Sequence, residues 1–246
     1  MQRYFVSPKQ ISGNQIQITG DDVHHIKTVM RNRIGDRFIC CDGHGLDYFV
    51  EITEIHSQYI ECRVLETAPS KGEPVSQITI AQSLPKGDKF ETILQKGTEI
   101  GAARFLPFTS LRTIVKLDDK KGQKKLERWK RIVKEAAEQS HRGCIPEVFQ
   151  PIHWKELLKE IEKAELALIA YEKGGEPLTH VTMSEAQQIL LIIGPEGGFS
   201  EQEIEEAKAA GALPITLGTR ILRTETASLV ALSCILFAKR ELGGEA

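Results

Sequence analysis

From about residue 78 onward, short apolar runs alternate with stretches of helical periodicity, which confines the chain to an α/β fold with a mostly parallel sheet. Residues 78–83 read as a strand, and Phe90, Ile93, Leu94, Gly97, Ile100 and Gly101 then recur at helical spacing. Residues 104–108 give a second strand. A long helix follows, with Leu126, Trp129, Val133, Ala136, Ala137 and Ser140 as its less polar stripe and lysines and arginines around its other faces. Strands are expected at 147–152 and 166–171, with a helix at about 154–163 between them. Residues 190–193 are a continuous apolar run, as in a parallel strand buried on both faces. Ser200 and Glu203 form a capping box that opens a helix, and Gly211 closes it. A strand at 215–217 and a helix at 224–242 complete the pattern.

The first 68 residues lack that alternation. Strand-like segments at 3–6, 15–19, 37–41, 48–55 and 59–65 are separated by turn signals such as Ser12-Gly13-Asn14 and Asp42-Gly43-His44-Gly45. One helix, at about 21–31, interrupts them. Strands this short and this closely spaced predict a small β-barrel. Residues 68–74, rich in Pro, Gly, Ser and charge, read as a linker, which divides the chain into domains at 1–70 and 74–246.

Composition narrows the class. With 246 residues, 41% hydrophobic and 27% charged, the chain can bury a sizeable core without disulfide or metal staples. No run of 18 apolar residues would span a membrane, and residues 1–8 have no apolar leader core, so a cytoplasmic protein is expected. The five cysteines are odd in number and show no C-x-x-C spacing, which reads as buried thiols. The net charge is −2, yet residues 112–142 alone carry +6 and leave the remainder at −8. Such a block suits a polyanion partner, or it is a solvated helix face.

Two segments carry the chemistry. In Ile193-Gly194-Pro195-Glu196-Gly197-Gly198-Phe199-Ser200 a buried strand runs through glycines into a capped helix. Ligands of open α/β sheets bind beyond the carboxyl ends of strands, and glycines there admit a close approach. A tight connection with no ligand would read the same way. The second segment, residues 217–228, holds Arg220, Arg223, Glu225 and the hydroxyls of Thr224, Thr226 and Ser228 ahead of an apolar helix. Thr224 as helix N-cap and Glu225 at the positive end of the dipole explain part of it, but not two arginines. The phosphate-binding patterns G-x-x-x-x-G-K-[ST] and G-x-G-x-x-G are absent. His24 and His25 point apart on a helix, and no metal is expected.

Together, Gly194-Pro195-Glu196-Gly197-Gly198 and Leu217-Gly218-x-Arg220-Ile221-Leu222-Arg223-Thr224-Glu225-Thr226-Ala227 resemble the C-terminal signatures of the RsmE-type methyltransferases of the SPOUT superfamily. Further similarities run along the chain: Arg3-Tyr4-Phe5, His24-His25 with Val29-Met30-Arg31, Ser83-Leu84-Pro85-Lys86-Gly87, Lys96-Gly97-x-Glu99-Ile100-Gly101 and Glu138-Gln139-Ser140-x-Arg142. The resemblance implies a PUA-like β-barrel RNA-binding domain over 1–70 and an α/β methyltransferase domain with a deep trefoil knot over 74–246. It implies S-adenosylmethionine as cofactor, a homodimer, and methylation of uracil N3 in 16S ribosomal RNA, free or in the small subunit.

Carried onto this sequence, the cofactor would be held by Gly194, Pro195, Glu196, Gly197, Gly198, Leu217, Gly218, Ile221, Leu222, Thr224, Thr226 and Ala227. Gly194, Gly197 and Gly218 are expected to lie against it. Arg223 and Arg220 would stabilise charge developing on the uracil oxygens, and Glu225, with Glu196 as its rival, would accept or orient the N3 proton. RNA would meet Arg3 and Arg31 on the first domain, Lys86 and Arg112 nearer the active site, and Lys124, Lys125, Arg128 and Arg131 on the long basic helix. A related methyltransferase acting on transfer RNA, or a non-catalytic RNA-binding or ribosome-assembly protein, are the alternative readings.

Overall fold

The computed structural model describes residues 1–115, 119–181 and 185–243, so residues 116–118 of the basic stretch lie outside it. The chain forms two compact units: Met1–Glu73 with Ala137–Ile145, and Pro74–Ala136 with Pro146–Ala246.

The first unit contains β1 (Arg3–Phe5), β2 (Ile11–Ser12), β3 (Gln15–Thr19), α1 (Asp21–His24), β4 (Arg37–Cys41), β5 (Leu46–Ile55) and β6 (Tyr59–Pro69). They make a curled six-stranded sheet, a PUA-like half-barrel, in the order β1-β4-β5-β6-β3-β2; β1 and β4 are parallel and the other pairs antiparallel. Strict alternation in β3 buries Ile16 and Ile18 and exposes Gln15, Gln17 and Thr19. Those isoleucines pack with Tyr4, Phe38, Val50, Ile52 and Ile60 around the thiols of Cys40 and Cys62. The expected helix is shorter than 21–31. α1 continues as a π-helical turn only to Val29, and Arg31 then adopts a left-handed φ of 58°. The expected linker also begins too early, because Ala68 and Pro69 still pair with Asp47 and Leu46.

A buried ionic cluster ties this unit together. Arg3, 5% exposed, donates from both terminal nitrogens to Asp47, at 2.9 and 2.7 Å, and donates again to the Arg142 carbonyl at 3.1 Å. Arg142 in turn pairs with Glu73 at 2.6 Å, and Glu73 accepts from the backbone N–H groups of Gly143 and Cys144. Burial raises the Asp47 pKa, but hydrogen bonds from Ser70, Arg3 and Cys41 and the Arg3 charge outweigh it and hold the carboxyl below its usual range. The expectation that Arg3 contacts RNA is therefore corrected: its guanidinium is consumed inside the fold.

The second unit contains β7 (Gln77–Ser83), α2 (Lys89–Ile100), β8 (Arg104–Thr109), α3 (Asp119–Gln139, its last turn in the first unit), β9 (Glu147–Val148), β10 (Ile152–His153) and α4 (Trp154–Lys163). There follow β11 (Leu166–Ala170), β12 (Glu176–Pro177), α5 (Leu178–Val181), β13 (Gln188–Ile193), α6 (Glu201–Ala209), β14 (Leu213–Thr216) and α7 (Thr224–Ala238). Every pairing in its sheet is parallel, in the order β10-β8-β7-β13-β11-β14-β12, with β9 also on β8. Both faces are covered, as parallel sheets require. Ile189, Leu191 and Ile193 of β13 join a core with residues of α2, α3 and α7. Leu190 and Ile192 face the opposite core, with Leu157 and Ile161 of α4 and Ile204 and Ala207 of α6. The single strand expected at 147–152 is two short ones. Pro151 interrupts it because it has no N–H to give to the ladder. The last helix stops at Ala238 rather than 242.

Replacing Arg3 by Met should strand the Asp47 carboxylate in the interior. We expect a stability loss of roughly 3–5 kcal/mol in urea unfolding near neutral pH, the usual cost of removing one buried ionic partner. Because the Asp47 pKa is depressed in the folded state, the pair's contribution is complete above the ordinary carboxylate range. It is lost as pH falls through the depressed value. A variant as stable as the wild type would show that Arg3 is not structural.

Candidate active site

The carboxyl ends of β11, β13 and β14 open onto a cavity of about 350 Å³, a size suited to a nucleoside-like ligand. Two loops frame it. The first follows β13: its turn is closed by Gly198 N–H donating to the Pro195 carbonyl at 2.9 Å. Gly198 holds φ +66°, a left-handed conformation that favours glycine, and lies close to the Glu172 carboxylate. Ser200 and Glu203 then form the capping box that starts α6, and Glu203 also accepts the Leu111 N–H at 2.8 Å. The second loop, after β14, turns at Gly218 with φ +102°; no protein atom lies within 4 Å of where a Cβ would be. Ile193, Leu217, Ile221, Leu222 and Ala227 give the cavity apolar walls.

Beneath the cavity lies a polar network. Gln82, the one long polar side chain in the buried part of β7, is fully buried. Its amide donates to Thr224 Oγ1 at 2.8 Å and to the Ser83 carbonyl at 2.8 Å, while its oxygen accepts from Ser228. The Thr224 hydroxyl donates to the Gly194 carbonyl at 2.7 Å. The helix N-cap is Arg223, not Thr224, and it caps with no side-chain bond. Thr224 occupies the first turn and spends its hydroxyl on the opposite loop.

Charge is concentrated at the same place. Lys89, at the start of α2, pairs with Glu196 at 2.8 Å and lies 3.8 Å from Glu225. Burial raises the Glu196 pKa, but hydrogen bonds from Lys89 and from backbone N–H groups, that of Lys86 among them, hold it below the usual carboxylate range. Arg220 and Arg223 are exposed side chains on the cavity lining.

The sequence-derived site residues fall as follows. Gly194, Pro195, Glu196, Gly198, Leu217, Gly218, Ile221, Leu222, Thr224 and Ala227 line the cavity, as do Arg220 and Arg223. Gly197 and Thr226 do not. Gly197 faces Arg112 instead, whose guanidinium donates to the Gly197 carbonyl at 2.6 Å. Glu225 sits one step into α7, off the lining and toward Lys89. Lys86, Lys124, Lys125 and Arg131 are exposed in this unit, and Arg31 is exposed in the first. Arg128 is exposed but held by Glu91 through two hydrogen bonds of 2.7 and 2.8 Å. The sequence reading missed Lys89, Gln82, Tyr171 and Glu172. All four are brought to the site only by tertiary folding. Among the described residues no acidic, histidine or cysteine cluster is arranged to hold a metal ion, and no helix is long and apolar enough to cross a membrane.

The chain matches the model of an RNA methyltransferase domain over residues 71–236 and that of an RNA methyltransferase PUA domain over residues 18–65. It is 41% identical to ribosomal RNA small subunit methyltransferase E of Bacillus subtilis, across the whole of both chains. It is also 37% identical to the protein of that name from Synechocystis, covering 95% of this chain and 76% of the relative. Among solved structures it is similar to ribosomal RNA small subunit methyltransferase E of Neisseria gonorrhoeae bound to S-adenosyl methionine, with TM-score 0.89, 32% identity, and 96% and 97% of the two chains covered. A second, a putative methyltransferase of Legionella pneumophila in complex with the same cofactor, gives TM-score 0.88 and 31% identity with the same coverage.

Replacing Thr224 by Val keeps the side-chain shape and deletes the hydroxyl that joins the two loops. The Gly194 carbonyl and the Gln82 amide then each lose a partner in a buried site, at a cost of about 1–3 kcal/mol. We expect a lower melting temperature and weaker calorimetric binding of S-adenosylmethionine, both restored by Thr224→Ser. An unaltered Thr224→Val protein would show that the network does not shape the cavity.

Proposed function

The chain belongs to the family of ribosomal RNA small subunit methyltransferase E, and from that premise we propose that it methylates N3 of a uridine in 16S ribosomal RNA, using S-adenosylmethionine. The observation that carries the reading is the cavity at the carboxyl ends of β11, β13 and β14, with apolar walls, glycine loops and two arginines on its lining. When bound, the cofactor supplies a methyl group already activated on a sulfonium. The open space beside Gly218 and the apolar residues Ile193, Leu217 and Leu222 fit its adenosyl part. We assign its binding to the loops 194–198 and 217–222, together with Thr224 and Ala227.

The chain's own residues then handle the nucleotide. Arg223 and Arg220 place positive charge where the uracil oxygens gain electron density as the N3 proton leaves. Glu196 is committed to Lys89 and the Lys86 amide and is held below the usual carboxylate range, so it is a weak base. Glu225 is the proposed proton acceptor or ring-orienting group. A base-paired N3 is inaccessible, so the uridine must be unpaired or flipped. Arg31, Lys86, Arg112, Lys124, Lys125, Arg128 and Arg131 position the RNA through its phosphates. Exposed Val230, Cys234 and Phe237 on α7, Phe237 at 67%, support a homodimer built on the second unit, in which we also place the trefoil knot. We take the cytoplasm, where ribosomal RNA is processed, as its location.

The direct test is mass-spectrometric mapping of small-subunit RNA after reaction with the protein and cofactor. We expect one N3-methyluridine; a methyl group on a ribose, on another base atom or on transfer RNA would refute the assignment. Arg223→Ala and Glu225→Gln should lower turnover by about 10²-fold or more, with cofactor affinity little changed. Loss of cofactor binding without a separate loss of turnover would make them ligands of the cofactor instead. Sedimentation at micromolar concentration should give a dimer, and a monomer there would contradict the role given to α7.

A further inference from the structure

Lys89 lines the cavity with its side chain 31% exposed. Its ammonium meets two carboxylates from different segments: Glu196, in the loop after β13, and Glu225, in the first turn of α7. Glu196 is gripped a second time by the Lys86 N–H at 3.2 Å. Glu225 is in a different state. Its Oε2 is sealed from solvent and has no hydrogen-bond partner among the described residues. A carboxylate oxygen so placed is costly unless a charge compensates it. The Lys89 ammonium, 3.8 Å away, is the compensating charge the structure supplies.

We propose that Lys89 is a positioning residue for methyl transfer, whose single ammonium fixes the β13 loop to the start of α7 through Glu196 and Glu225. It does not touch the reacting atoms; it sets the spacing of the two walls between which donor and nucleotide must align. The proposal rests on the methyltransferase reading of this cavity. The groups acting on Lys89 are few. The hydrogen bond it donates to Glu196 holds it protonated most strongly, burial opposes this, the charges of Glu196 and Glu225 add to it, and Arg223 works against it. Without the ammonium, two carboxylates share one corner with no cation between them. Glu196 then loses the hydrogen bond that holds its pKa down, so its titration moves up.

The test compares Lys89→Met and Lys89→Arg in the full-length protein, with small-subunit RNA and S-adenosylmethionine. We expect Lys89→Met to keep its fold by circular dichroism and to lose about 10²-fold in kcat, the scale set by a misplacement of about 1 Å. The KM for RNA should change far less. Lys89→Arg should recover most of the rate. Wild-type activity in Lys89→Met overturns the proposal and leaves the methyltransferase reading standing. So does a loss confined to the KM for RNA, or a loss that arginine fails to rescue. If Lys89→Met does not fold, Lys89→Arg decides alone: wild-type turnover supports the ion-pair role, and a 10²-fold loss in a folded protein overturns it. A wild-type protein that transfers no methyl group to small-subunit RNA overturns the reading itself, and the proposal with it.

Discussion

One buried amide holds the site together. Gln82 reaches from β7 to Thr224 and Ser228 on α7, and Thr224 passes the connection to the Gly194 carbonyl at the end of β13. Neither loop has regular structure of its own, and glycine-containing loops lose much conformational entropy on ordering. Their shape must come from tertiary bonds, and in a low-dielectric interior those bonds are strong when complete and costly when broken. The cavity is therefore a property of three distant sequence segments joined at one point. Its upper edge repeats the arrangement with charge, since Lys89, Glu196 and Glu225 again join α2, the β13 loop and α7.

The basic stretch has a divided role. Arg128 is engaged with Glu91 and Arg112 with the Gly197 carbonyl, while Lys124, Lys125 and Arg131 present their side chains to solvent. A surface ion pair such as Arg128–Glu91 contributes little to stability. It does set where the neighbouring free charges stand, and for a polyanion partner that placement matters more than the energy of any one pair. In the first unit the logic is reversed. Arg3 and Arg142 are themselves buried and are spent on Asp47 and Glu73, which fixes the segment 137–145 to the sheet and leaves other cations to face solvent.

Much of this was legible before folding. Alternating strand and helix signals located β7, β8, β11, β13 and β14, and the helix read at 154–163 matches α4. The capping box at Ser200 and Glu203 was readable because both partners are local. What failed did so for identifiable reasons. Pro151 split a strand that hydrophobicity alone would continue. Arg3, beside apolar neighbours, looked like a surface cation because its partner Asp47 lies 44 residues away. At the site, the two loops could be read as ligand-binding, but not which glycines face the cavity: Gly197 turns to Arg112. Gln82 and Lys89 were invisible because their partners are more than a hundred residues distant, and only the parallel insertion of β13 beside β7 brings them near.

We propose that the methyl donor binds in the cavity beyond β11, β13 and β14. A crystal structure of this chain soaked or co-crystallised with S-adenosylmethionine tests it most directly. We expect the cofactor between the 194–198 and 217–222 loops, its adenosyl group against Ile193, Leu217 and Leu222, and the Gln82–Thr224–Gly194 bonds intact. The chain also has a larger groove of about 750 Å³ near the amino ends of β7, β8 and β13, bordered by Arg104, Lys159 and Lys163. Cofactor density there, with the first cavity empty, would show that the donor binds elsewhere.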